Sequence, residues 1–173
     1  MNNTLTVRST VLPINNTRAY LYETLFIILA VAFPAICHLT GAPVSFLLPM
    51  HWTIILGGLV YGWRGGMVSG LISPVLSYLI TGMPFPPMIL PMTAELFTYG
   101  AVTGFAKERL NLNAFVSVAI ALISGRIVYV FAIYIFSNGL NIPGYLESAL
   151  LPGIAAGVLQ IALIPSIAKF WKK

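Results

Sequence analysis

Between Ala19 and Ala106 the chain carries three charged side chains, Glu23, Arg64 and Glu95, and between Leu110 and Ala168 only two more, Arg126 and Glu147. Runs this long and this apolar have few ways to fold. About 20 apolar residues cross a bilayer as a helix, and the helix satisfies every backbone N–H and C=O where no water can. The composition agrees: 8% of residues are charged, and mean hydropathy is +0.92. Soluble domains carry roughly 25% charged residues. The 173 residues therefore predict an all-α membrane protein, with a polar cytoplasmic segment at 1–18 and one transmembrane helical bundle at 19–173.

Six candidate spans follow, at about 20–40, 44–62, 65–82, 88–106, 112–138 and 148–169. The breaks between them are rich in Gly, Pro and Asn, as at Gly41-Ala42-Pro43 and at Met83 to Pro87. Basic residues set the expected orientation. Arg8, Arg18, Arg64, Lys107, Arg109, Lys169, Lys172 and Lys173 all fall on one side if six helices alternate, and the opposite connections hold only Glu147. By the positive-inside rule both termini are expected in the cytoplasm. Basic residues at span ends are a topology signal, not the clustered face that nucleic acid requires.

Glycines recur four residues apart at Gly58, Gly62, Gly66 and Gly70, at Gly100 and Gly104, and at Gly153 and Gly157. Small residues one turn apart let helix backbones approach closely in lipid, so these positions predict packing within the bundle.

Three ionisable groups lie deep inside the spans, away from their ends: His51, Glu95 and Arg126. At 1.5 Å per residue from the nearest cytoplasmic landmarks, Glu95 stands roughly 18 Å up, His51 roughly 20 Å and Arg126 roughly 22 Å. Three separate spans thus place their interior polar groups at one level. A mid-membrane Arg costs about 2.5–3.5 kcal/mol on insertion scales, so it faces the bundle interior and seeks a partner. Glu95 is the acid at that depth. Tyr99 shares the helix face of Glu95, Tyr129 shares that of Arg126, and Gln160 on the last span borders the same region from below. Pro49 removes a backbone donor and starts or kinks a helix, which leaves the preceding residues irregular and sets His51 and Trp52 at the edge of a cavity.

Other chemistries find little support. The single Cys37 excludes an intramolecular disulfide. Two histidines without an HExxH spacing suggest no metal site. No glycine-rich phosphate loop is present, and no cofactor is expected.

Three stretches carry a family resemblance: LPMHWTIILGGLVYG at 48–62, SGLISPVLSYLITGMPFPPM at 69–88 and MTAELFTYGAVTG at 92–104. With them, the chain from about Tyr20 onward resembles the substrate-binding S components of energy-coupling factor (ECF) transporters, the prokaryotic vitamin importers. The resemblance implies a plasma-membrane subunit that binds a vitamin or vitamin precursor in an outward-facing cavity. It also implies docking on a membrane coupling subunit driven by two ATPase subunits, which would carry the ATP chemistry. Matched to this chain, the ligand contacts implied are Phe46, His51, Glu95, Tyr99, Arg126, Tyr129, Tyr145 and Gln160, and Trp52 joins them as the cavity-edge neighbour of His51. Family docking through small residues on the first helix points to Ala30, Ala32 and Ala35, although the usual Ala-x-x-x-Ala spacing is degenerate here. Two alternatives stand beside this reading. One is an intramembrane lipid-modifying enzyme with His51 as base and Arg126 holding an anionic head group. The other is a small secondary transporter in which Glu95 titrates.

Overall fold

The computed structural model describes residues 17–136 and 142–171, without the side chains of 17–19, 45, 142, 145, 146, 148–151 and 171. Five long helices form among them: α1 (Thr17–Thr40), α3 (Pro49–Thr81), α4 (Ile89–Glu108), α5 (Ala114–Phe136) and α6 (Ile142–Trp171). A single turn, α2 (Val44–Leu47), precedes α3, and a short 3-10 turn at Pro86–Met88 leads into α4. No strand occurs among the described residues. Among the described residues, three helical stretches are long and apolar enough to cross a membrane: Tyr20–Thr40, Ala114–Phe136 and Pro152–Phe170.

The expected six separate spans are corrected here. The second and third expected spans form one helix, α3, interrupted at Gly62, whose φ of 86° and ψ of 179° leave the helical region. A positive φ of this size is one that glycine adopts without a Cβ penalty. The chain doubles back at this residue. In an unbroken helix Gly58 and Gly66 would stand about 12 Å apart. Instead, a Cβ on Gly66 would lie 2.8 Å from the Cα of Gly58. The first arm, 49–61, is only about 20 Å long because it begins at Pro49.

Proline takes the first helical position of α3, where its missing N–H is no loss, and Leu48 before it adopts a left-handed φ of 43°. The Trp52 indole N–H donates to the Leu47 carbonyl at 2.7 Å and ties α2 to the start of α3. The residues ahead of Pro49 thus form a turn and a left-handed step.

Helix α4 packs against both arms of α3 through glycine. A Cβ on Gly58 would stand 2.8 Å from the Gly100 carbonyl, and one on Gly66 would stand 2.6 Å from the same oxygen. Gly70 faces the Leu96 backbone, and Gly104 faces the backbone of Gly62 and Trp63. The order of these contacts sets the first arm parallel to α4 and the second antiparallel to it. Glu108, at the end of α4, accepts the Trp63 N–H at 3.4 Å and so caps the second arm at its start. Around this three-rod unit, Phe26 of α1, Val118 of α5 and Ile164 of α6 complete a core with Ile54, Ile55 and Leu96.

Candidate functional site

The interior polar groups meet. On α4, Glu95 and Tyr99 stand one turn apart, and the Tyr99 hydroxyl donates to Glu95 Oε1 at 2.7 Å. Arg126 of α5 brings Nη1 to 3.1 Å from the same oxygen. From the first arm of α3, His51 Nε2 lies 3.5 Å from Glu95 Oε2, and its ring tilts against Tyr99 at a centroid separation of 5.2 Å. The Arg126 guanidinium lies over the Tyr129 ring, 5.6 Å from its centroid. One carboxylate is therefore shared by a phenol, a guanidinium and an imidazole drawn from three helices.

Two glycines make room for this arrangement. A Cβ on Gly125 of α5 would overlap the Tyr99 ring, and one on Gly153 of α6 would overlap the Arg126 guanidinium. Sequence spacing marks Gly153 as a packing residue, but what it packs against is a charged group. Removing a carboxylate and a guanidinium from water costs several kcal/mol per ion, and close mutual contact with further hydrogen bonds offsets that cost. Tyr99 supplies one such bond.

The outward-facing cavity that the resemblance implies is not seen at this level among the described residues. Glu95 and His51 are each 2% exposed and Tyr99 is fully buried, so the cluster is packed. Its contact with the surroundings runs through Arg126, whose side chain is 21% exposed. A cavity of about 460 Å³ lies instead on another flank of the first arm of α3, between α1 and α6.

The remaining expected residues divide accordingly. Tyr129 joins the cluster through Arg126. Gln160 is fully buried on α6, and neither its amide oxygen nor its nitrogen has a hydrogen-bond partner among the described residues. Gly153 meets Arg126 and Gly157 meets Leu122, so Gln160 lies further along α6 from the pair. Phe46 is half exposed on α2 and does not join the cluster. Trp52 does not join it either, because its place one position beyond His51 turns it to the flank that lines the 460 Å³ cavity. The Tyr145 side chain lies outside the described residues. On α1, Ala30 is fully buried, whereas Ala32 and Ala35 are half-buried on the face that also carries the exposed Ile28 and Leu39.

Several polar residues escape sequence reading. Thr93, two positions before Glu95, is buried with its hydroxyl unpartnered among the described residues. Ser69 Oγ donates to Glu23 Oε1 at 2.5 Å, tying α1 to the second arm of α3. The spacing Ser69, Ser73, Ser77 marks one helix face, but nothing in it names Glu23 as the partner.

The sequence profile of the ECF transporter substrate-specific components matches residues 21–171. No curated protein and no solved structure matches the chain with significance. The matched residues include the long helices, apart from the first four residues of α1, and the whole Glu95 cluster, and the chain belongs to the family of ECF transporter substrate-specific components, as a membrane-embedded transport subunit.

Proposed function

We propose that this subunit binds a vitamin or vitamin precursor at the Glu95–Arg126 cluster and delivers it to an ATP-driven importer. One observation carries the reading: in a chain of this family, a carboxylate and a guanidinium from neighbouring helices pair at 3.1 Å in the bundle interior, with His51 and Tyr99 against the same carboxylate. Intramembrane ionisable groups are expensive and mark substrate pathways. Glu95 can accept hydrogen bonds from an amine or hydroxyl, and Arg126 can hold a carboxylate or carbonyl. Gln160 and Thr93, buried with unpartnered polar atoms, can complete a ligand's hydrogen bonds after rearrangement of α6. Tyr129 shapes the Arg126 side of this site, and Phe46 and Tyr145 are carried as ligand contacts on the family resemblance alone.

Both termini face the cytoplasm in this proposal, in line with the basic residues at 8, 18, 64, 107 and 109. Coupling and ATP hydrolysis reside in a membrane coupling subunit and two ATPase subunits. Ala32 and Ala35, on the exposed face of α1, are the docking residues, and buried Ala30 supports that helix from within.

Native mass spectrometry of the detergent-purified subunit, followed by titration of the small molecule it carries, tests the proposal. A water-soluble metabolite that binds tightly and enters cells only when the coupling module is present is the expected result. Turnover of a phospholipid, or uptake driven by a proton gradient alone, would overturn it.

A further inference from the structure

The 460 Å³ cavity takes no part in the polar cluster, and its chemistry differs. Its floor is the first arm of α3, through Trp52, Thr53 and Leu56. Its walls are α1, through Phe26, Leu29, Phe33, Ile36 and Cys37, and α6, through Ile164 and Ile167. Both walls belong to stretches long and apolar enough to cross a membrane, so the cavity lies at hydrocarbon depth.

The lining offers almost no hydrogen bond. The Trp52 indole N–H is already given to the Leu47 carbonyl at 2.7 Å, and the Thr53 hydroxyl to the Met50 carbonyl at 2.8 Å. A vitamin with polar substituents would leave them unsatisfied here, at a cost no apolar contact offsets. The shape is equally selective. From Phe26 to Cys37 the α1 wall runs about 16 Å along the helix axis. A volume of about 460 Å³ spread over that length makes an elongated groove, open along one side, rather than a rounded pocket. A helix with its side chains is about 10–12 Å across, so it could cover such a groove but not fill it. Fifteen or so groups the size of water, at about 30 Å³ each, do fit, and that is the bulk of one hydrocarbon chain.

We infer that this channel is a binding site for a single phospholipid acyl chain, seated between α1 and α6 along the membrane normal. The site is separate from the Glu95 cluster, and its occupancy does not depend on the substrate reading. A lodged chain fills space between α1 and α6 that the protein's own side chains leave open, so the lipid acts as a structural element of the subunit.

The test uses Trp52 as the reporter. The full-length protein with Trp63→Phe and Trp171→Phe is placed in vesicles of phosphatidylcholine carrying a 9,10-dibrominated stearoyl chain, whose bromines quench nearby indoles. Strong quenching is expected, and it should fall by at least half when Leu29→Phe and Cys37→Phe fill the channel. Weak quenching before filling, as from a second copy or a protein helix covering the channel, would overturn the site. Quenching unchanged by filling would do the same, because Trp52 would then be meeting bulk lipid. A measurement on the unaltered chain guards against misfolded variants. Native mass spectrometry should retain one phospholipid per subunit under activation that strips detergent, and loss of all lipid together with detergent contradicts the proposal.

Discussion

Arg126 and Glu95 pair at 3.1 Å in the bundle interior. Removing one partner of a buried pair leaves an uncompensated charge, which typically costs about 3–5 kcal/mol. Because the Arg126 side chain is 21% exposed, Arg126→Ala should fall at the lower end of that range, read as a drop in melting temperature in detergent. The double variant Glu95→Gln with Arg126→Met should recover most of the loss, whereas two independent, additive losses would contradict the pairing. Gly153→Leu should act on the same pair from α6, since any side chain there displaces the guanidinium. Its substrate affinity should fall together with that of Arg126→Ala, while a variant at exposed Ile154, one position on, should leave affinity unchanged. The meeting of His51, Glu95 and Arg126 is legible in the sequence, because rise per residue from basic landmarks places all three at one depth. The packing of His51 and Tyr99 to near-complete burial is not, since depth says nothing about how tightly neighbours close around a group.

At the scale of elements, the glycine spacing is legible as close packing, but its geometry is not. Nothing in a repeat at Gly58, Gly62, Gly66 and Gly70 distinguishes a straight ridge from a hairpin; that choice is made at Gly62, where the backbone leaves the helix with a positive φ. Gly100 then serves both arms at once. Gly100→Ala should destabilise the protein by about 1–3 kcal/mol through overpacking, since its Cβ would meet the Gly66 backbone, which cannot swing aside as a side chain can. A neutral melting temperature would contradict the three-rod arrangement. Glu108→Ala should be milder, about 1 kcal/mol, as for loss of an N-cap. Hydrogen exchange should rise at Trp63, whose N–H it leaves without its acceptor, and an unchanged rate there would remove the cap from the account.

Across the whole molecule, the hydropathy of the chain and the three quoted motifs make the membrane bundle and its family legible, and the profile match over residues 21–171 agrees. The position of the cavity is not legible. Trp52 and His51 are neighbours in sequence, yet consecutive helix positions point about 100° apart, so one lines an apolar channel and the other a buried polar pair. An apolar stripe on α1 reads the same whether it meets lipid, a partner helix or a void.

The claim on which transport by this subunit rests is that its substrate is held by the Glu95–Arg126 pair. Calorimetric titration of the co-purified metabolite into the unaltered protein, Glu95→Gln and Arg126→Met tests it most directly. Truncating one partner of a buried charge pair costs about 2–5 kcal/mol in binding, so each variant should bind at least about thirtyfold more weakly while retaining its helical spectrum. Unaltered affinity in both folded variants would show that the pair only joins α4 to α5, and that the substrate lies elsewhere.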